Sequence, residues 1–491
     1  MSVANWLFGA VLISMGAGTV AADAVESPSA KAWQSLLEQD LQYLEAAIPK
    51  HYIYAVYPGG EQWQTLFQRS LTQARREAAQ VKDFGSYRAV LQHFIVSFED
   101  AHLSAYFNVN TRRANWPRFK VEYQGGRYVV TSSQLPTVKA GDAVTTCDGR
   151  AMHEWTDGLA EFYGGPRGLE TTRAAIARQM FLDFGNPLYS LPTKCRIGEN
   201  EIALTWGPAP EGSSIEQPQR TSSSAPSIND STSSISEFGD NVAWVRMGTM
   251  MPATAEAAAQ FRQIIDGAPG LRDRDAVILD VRGNPGGTYN WFMAFLRGFY
   301  GQQYADYMAR ARLEISNVML VISPTGADDP GFSADQNRIE MPPDPPMTAT
   351  ADKPKVRMLP NGTRLVTTRP AVERLSFPKR PPANPVRAKV YVLTDYGCAS
   401  ACLSFMDEIM RFPGVTQIGG ETHIDRRSGG WPEAFELPSG LAVVRMGRLV
   451  REGRRRGENE AWKPSRYFEG NIADTDAVKH WIREQVLPQA R

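Results

Sequence analysis

Tyr391-Val-Leu-Thr-Asp-Tyr-Gly-Cys-Ala-Ser400-Ala-Cys-Leu-Ser-Phe-Met-Asp-Glu-Ile-Met410 is the stretch on which the fold turns. Val390 to Leu393 is a short apolar run and reads as a buried strand. Thr394, Asp395 and Gly397 break it as a tight turn would. From Ala401 the apolar residues Leu403, Phe405, Met406, Ile409 and Met410 follow helical spacing. Ser400 therefore sits where a strand hands over to a helix. The first N–H groups of a helix have no partner inside it and favour negative charge. Two readings follow: an N-cap serine that satisfies one of those groups, or a nucleophile whose oxyanion they hold.

A second stretch, Ala276-Val-Ile-Leu-Asp280-Val-Arg282-Gly-Asn284-Pro-Gly286-Gly287-Thr, repeats the pattern of buried strand and tight loop. Glycine lets a backbone approach a ligand closely, so this loop can present a bare N–H to an oxyanion. An ordinary turn is the plainer reading. It leaves unexplained why Asp280, Arg282 and Asn284 alternate at the strand end, where they can pin the loop by hydrogen bonds.

Together the two stretches resemble the tail-specific, or C-terminal-processing, serine proteases, with the tricorn protease core as a relative. That family carries an Asp-Leu-Arg-x-Asn-x-Gly-Gly loop and later a Ser-Ala-Ser-Ala type turn. Here they correspond to Asp280-Val-Arg282-Gly-Asn284-Pro-Gly286-Gly287 and Cys398-Ala-Ser400-Ala. The resemblance extends from Val242 to near the end of the chain. It implies an α/β protease core of the crotonase-like or ClpP-like kind, acting on a polypeptide substrate without a cofactor. It also implies that Ser400 is the nucleophile, with the N–H of Ala401 and that of Gly286 or Gly287 as the oxyanion hole.

The composition agrees with an ordinary globular enzyme. The chain has 491 residues, enough for several domains, and its 53 basic residues are balanced by 53 acidic ones. Nothing in that balance suggests a nucleic-acid partner. The basic patch Arg451, Arg454, Arg455, Arg456 reads as a solvated turn. Residues 1–24 read as a signal peptide: Trp6 to Val20 is mostly apolar and small, and small-residue cleavage sites follow at Val20-Ala-Ala22 and Ala22-Asp-Ala24. The run is shorter than the ~20 residues of a membrane span, and no basic residue precedes it. The expectation is a periplasmic or secreted protein with no stable membrane insertion. Of the four cysteines, Cys147 and Cys195 can pair, whereas the i,i+4 spacing of Cys398 and Cys402 is poor for a disulfide. No pair has zinc-site spacing.

In chain order, residues 25–115 read as a helical domain, with Trp33, Leu36, Leu37, Leu41, Leu44 and Ile48 at helical spacing. It ends at Asp100-Ala-His102-Leu-Ser104, where strand-like alternation begins. Residues 116–206 form a small β-rich unit whose Lys139-Ala-Gly-Asp-Ala-Val and Cys147-Asp-Gly stretches resemble a PDZ domain. Residues 207–240, dense in Ser, Pro and Thr, read as a linker. The catalytic core is expected over 241–491, with a largely parallel sheet and an insertion at 302–388. That insertion reads as a solvated decoration, with a substrate-covering flap as the alternative.

A serine hydroxyl needs a base. Many members of the family use a lysine, yet none occurs between Lys389 and Lys463. Read alone, His102 is a structural histidine. In the tricorn-like branch a histidine from an Asp-x-His-Thr stretch serves, and His102 matches it, with departures at Leu103 and Ala101. His423, near the vacant lysine position, is the rival. The same resemblance makes Glu458 the acid that orients the imidazole, with Glu460 as substitute. The reading is an exported serine endopeptidase. Its alternatives are a catalytically inactive peptide-binding homologue on the same scaffold and a hydrolase of non-peptide esters.

Overall fold

In a computed structural model, the chain is described over residues 28–57, 60–108, 114–209, 230–314, 319–323, 355–368, 380–429, 433–451, 454 and 456–488. The proposed leader therefore lies outside the described residues.

Ala276–Asp280 and Lys389–Thr394 are the central strands of a six-stranded sheet among those residues. The spatial order is Ser233–Gly239, Val242–Met247, Ala276–Asp280, Lys389–Thr394, Val415–Gly419 and Arg466–Tyr467. All pairs are parallel except the first. Every residue of Ala276–Asp280 is buried, because both faces of the sheet are covered. Val277 and Leu279 point into one apolar layer with Phe261, Phe292 and Phe405, from the helices Ala255–Gly267, Tyr289–Tyr300 and Ala401–Ile409. Ala276 and Ile278, one residue out of phase, join Trp481 of Thr475–Trp481 on the other face. The result is an α/β core of three layers.

The front of the chain folds as the helices Ala30–His51, Gly60–Glu77 and Phe84–Val96. Their apolar faces do not close on themselves alone. Ser104–Phe107 pairs antiparallel with Ala442–Met446, and Val444 and Met446 pack with Leu37, Leu91 and Phe98. This strand pairing carries His102 across more than three hundred residues of sequence to the half of the chain that holds Ser400.

In the β-rich unit, Phe119–Gln124 and Arg127–Ser133 form a hairpin. A second small sheet sets Cys147 opposite Cys195, and the two are disulfide-bonded. Tyr396, from the turn before Ser400, packs into this unit's core beside Tyr123 and Phe119.

Several expectations are corrected. Ser233–Gly239 lies within the expected linker but is an ordered edge strand of the main sheet, because Ile235 packs against the core and the strand pairs with Val242–Met247. The described part of the insertion is no loose decoration. Met319–Ser323 pairs with Leu449–Arg451 of the core and with Arg364–Thr368, and Leu365 is buried with Ile53 and Val450. Cys398 and Cys402 are disulfide-bonded despite their spacing, since Cys398 precedes the helix and its Cα lies 5.2 Å from that of Cys402. The arginine patch is not solvated where it is described. Arg456 is buried between Asp407 and Asp425 at 3.1 and 2.8 Å, and Arg454 also holds Asp425.

Candidate active site

The parallel strands end where a ligand crevice is expected in an α/β sheet, and the two glycine-rich turns meet there. Ser400 has φ 53° and ψ −115°, a conformation an L-residue adopts only when its surroundings impose it. Its side chain is exposed and caps no helix N–H. An N-cap serine has extended backbone and bonds the next turn; Ser400 does neither. Its hydroxyl is thus turned out of the helix end, as a nucleophile requires.

The second loop is clamped against this turn. Arg282 holds both oxygens of Asp280, at 2.9 and 2.8 Å, and donates to the Ile472 carbonyl at 2.7 Å. Asn284 donates to the Met247 carbonyl at 2.8 Å, and its own carbonyl accepts from Ala399 N–H at 3.0 Å. Asp395 ties the two loops together by accepting from Gly283 N–H at 2.7 Å and Gly397 N–H at 2.8 Å. Gly286, with φ 97°, lies so close that a Cβ there would stand 2.6 Å from the Ala401 nitrogen and 2.9 Å from Ser400 Cβ. The alternation of Asp280, Arg282 and Asn284 is a pinning network, as their order suggests.

The oxyanion candidates separate on their bonds. Gly286 N–H is already given to Asn284 Oδ1 at 2.8 Å. The amides of Gly287 and Ala401 donate to no carbonyl among the described residues.

His102 is buried beside an acid the sequence displayed without a role. Asp100 Oδ1 accepts from the His102 amide at 2.9 Å and lies 3.6 Å from His102 Nδ1. Ser428 Oγ donates to Asp100 at 2.7 Å and stands 3.4 Å from the same Nδ1. Tyr52 donates to the other Asp100 oxygen at 2.7 Å. Burial alone would raise the Asp100 carboxyl; the hydrogen bonds and charge of His102, with that of Ser428, outweigh it and hold it below the usual range. With Ser428 donating to Asp100, its lone pairs face Nδ1, so the network places the imidazole proton on Nδ1 and leaves Nε2 as an acceptor. No hydrogen bond joins His102 and Ser400 among the described residues.

Glu458 makes no hydrogen bond or ion pair with His102. It accepts from Tyr54 Oη at 3.1 Å and from Arg427 N–H at 3.1 Å. Tyr54 Oη in turn accepts from Ser428 N–H at 3.1 Å. Glu458 thus braces the strand that carries Ser428. Glu460 accepts from Gly457 N–H at 2.6 Å.

His423 lies close to the Ser400 turn, its amide donating to the Cys398 carbonyl at 3.1 Å. Its Nδ1 is spent on the Ile424 carbonyl, and burial, with the nearby His102 charge, lowers its pKa. Its one acidic influence is the charge of Asp425, which acts against that lowering and makes no hydrogen bond to the ring among the described residues. Ser428, Tyr52 and Tyr54 escaped the sequence reading because isolated hydroxyls carry no motif. Asp100 was visible two residues before His102, and that i,i+2 spacing at a helix exit was the available signal.

Comparison with known proteins gives a family match over part of the chain. Residues 241–464 match peptidase family S41. No curated protein matches the chain. Among solved structures, mature CPAF superposes with a TM-score of 0.56 at 15% identity, covering 93% of this chain and 98% of that one. Mature CPAF complexed with lactacystin gives 0.52 at 15% identity, with coverages of 93% and 99%. The photosystem II D1 C-terminal processing protease gives 0.33 at 11% identity, with coverages of 94% and 100%. At 15% identity the likeness to CPAF establishes the fold alone.

Proposed function

We propose that this chain, which belongs to peptidase family S41 through residues 241–464 and is a serine-type peptidase, cleaves internal peptide bonds by attack of Ser400 Oγ on the scissile carbonyl. His102 Nε2 takes the hydroxyl proton and later returns it to the leaving amine. Asp100 and Ser428 keep the imidazole in the Nδ1–H form and stabilise its charged state. Glu458 supports that pair from behind through Tyr54 and the 427–428 backbone. Ala401 and Gly287 hold the oxyanion, since Gly286 N–H is already engaged. The observation that carries this reading is the backbone of Ser400, held at φ 53° with its side chain free. His102 is favoured over His423 as the base because a buried carboxylate adjoins it.

The domain reading is also part of the proposal: a leader over 1–24, a helical domain, a PDZ-like unit, a Ser/Pro-rich linker shortened at its C-terminal end, and the core. Export to the periplasm or the exterior is supported by the apolar N-terminus and by the disulfides Cys147–Cys195 and Cys398–Cys402, which persist in oxidising compartments. No described helix is long and apolar enough to cross a membrane.

The test is digestion of casein and of tailed peptides by the parent, Ser400→Ala, His102→Ala and His423→Ala, with fluorophosphonate labelling mapped by mass spectrometry. Lactacystin, which CPAF binds, serves as a second active-site probe. The reading requires labelling at Ser400 and loss of digestion in the first two variants. Digestion that survives Ser400→Ala overturns it, and peptide binding by a parent that neither cleaves nor labels would favour the inactive homologue.

A further inference from the structure

We propose that the Cys398–Cys402 disulfide is a positioning device for the nucleophile, and that the bond itself, rather than the packing of two sulfur atoms, sets turnover. The inference rests on Ser400 as the nucleophile. The bond joins the residues two before and two after Ser400 and closes a ring of five residues around it. Inside that ring Ser400 holds a left-handed backbone, φ 53°, that an L-residue keeps only where the surroundings over-determine it.

Those surroundings fix the ends of the ring. Cys398 N–H donates to the Asp395 carbonyl, and the Cys398 carbonyl accepts from His423 N–H, both at 3.1 Å. Ala399 N–H is held by Asn284, and Cys402 N–H returns to the Ala399 carbonyl at 2.9 Å. Gly286 presses on the turn from the other side. Ser400 itself contributes no side-chain bond to this frame. Beside the single Cys402–Ala399 hydrogen bond, the covalent link is the other tie between its incoming and outgoing halves.

The position of the bond in sequence points the same way. A disulfide restrains the unfolded chain more when it closes a long loop. Cys147–Cys195 spans 48 residues and does so; Cys398–Cys402 spans 4. The effect of the short bridge falls on native geometry. Both its cysteines are fully buried among Phe292, Phe405 and Met406, so the bond is shielded from thiol exchange and acts as a fixed staple.

The experiment uses the full chain as parent, Cys398→Ala, Cys402→Ala and the double variant, with kcat, KM, melting temperature and the rate of fluorophosphonate labelling at Ser400. Misplacing a reacting group by about 1 Å can cost on the order of 10²-fold. We expect each single variant to lose about 10- to 10²-fold in kcat with KM within about twofold. The double variant should be no worse than either single one, because one bond is lost in all three. A double variant with kcat within about twofold of the parent overturns the proposal, as do single losses that multiply.

If the double variant does not fold, a Cys147→Ala/Cys195→Ala protein is reduced with dithiothreitol in sub-denaturing urea. Each event converts one disulfide and one dithiol into two protein thiols and a cyclic oxidised reductant, and alkylation counts the thiols. Labelling should fall with the reduced fraction and return on reoxidation; labelling at parental rate in fully alkylated protein overturns the staple. Parental labelling at a residue other than Ser400 would instead remove the nucleophile on which the proposal stands.

Discussion

Asp100 and His102 are joined twice: the His102 amide donates to Asp100 Oδ1 at 2.9 Å, and the imidazole Nδ1 faces the same oxygen at 3.6 Å. The i,i+2 turn thus fixes the backbone of the proposed base and the orientation of its ring with one carboxylate. Ser428, from a strand 326 residues later, closes the gap at Nδ1.

Asp100→Asn should therefore lower kcat by roughly 10²–10⁴, the range associated with a positioned general base, with little change in KM. Ser428→Ala removes only the bridge and leaves the carboxylate in place, so its loss is expected to be smaller. Steady-state kinetics on one peptide substrate compares the two. Equal activity in Asp100→Asn and the parent would remove Asp100 from the site.

Glu458→Gln is predicted to be milder than Asp100→Asn. The amide still accepts from Tyr54 and Arg427, and Glu458 touches neither reacting group. A loss of turnover as large as that of Asp100→Asn would show that Glu458 moves onto His102 when substrate binds.

Gly286→Ala probes the seam between the two turns. The new Cβ would meet the Ala399 carbonyl and the Ala401 nitrogen, each at 2.6 Å, at a φ of 97° that alanine resists. Displacing one oxyanion donor costs roughly 10²–10³ in turnover, and a loss of that size is expected, with a lower melting temperature. Near-parental kcat would mean that Ala401 N–H does not hold the oxyanion.

Much of this arrangement was legible because its parts are local. The runs at Val277 and Val390 are apolar for their whole length, as strands covered on both faces must be, and the residues that pin the loop follow within four positions of the strand end. Ser400 could be placed at a strand–helix corner, but its backbone angles could not be read, and those set it apart from an N-cap serine. What sequence did not yield depends on long-range registration. The pairing of Ser104–Phe107 with Ala442–Met446 brings Ser428 and Tyr54 to His102, and neither residue has a pattern to announce it. The buried role of Arg456 was missed for the same reason: four arginines within six positions look solvated until Asp407 and Asp425 are seen behind them. The strand at Ser233 was hidden by its polar composition, since only Ile235 and Phe238 mark it.

Arg282→Met tests how firmly the loop over residues 283–287 is anchored. Asp280 and Arg282 are both fully buried, and the substitution leaves a carboxylate with one of its cations gone while Arg246 stays 3.5 Å away. Breaking a buried pair by removing one partner costs roughly 3–5 kcal/mol; the nearby Arg246 places the expectation at the lower end. Urea unfolding should show a lower midpoint with an unchanged slope. A shift of under about 1 kcal/mol, the scale of an exposed pair, would mean that the loop is held by Asn284 and Asp395 instead.

His423 should make stability fall with acid before the carboxylates titrate. Burial comes first among the causes that lower its pKa, and the charge of His102 acts in the same direction. The folded protein therefore keeps the ring neutral at a pH where the unfolded chain, with a value of about 6.5, already binds a proton. Where the unfolded state binds more protons, stability rises with pH. The stabilisation is then fully present above about pH 6.5 and declines as pH falls from there through the depressed folded value. Asp100 and Asp425, whose values are also lowered, lose their contribution only in more acidic solution, as pH falls through their own folded values. Urea midpoints of the parent should drop between pH 7.5 and pH 5, and His423→Gln should flatten that slope. A variant that follows the parent over this interval would show that His423 takes up its proton in the folded chain without penalty.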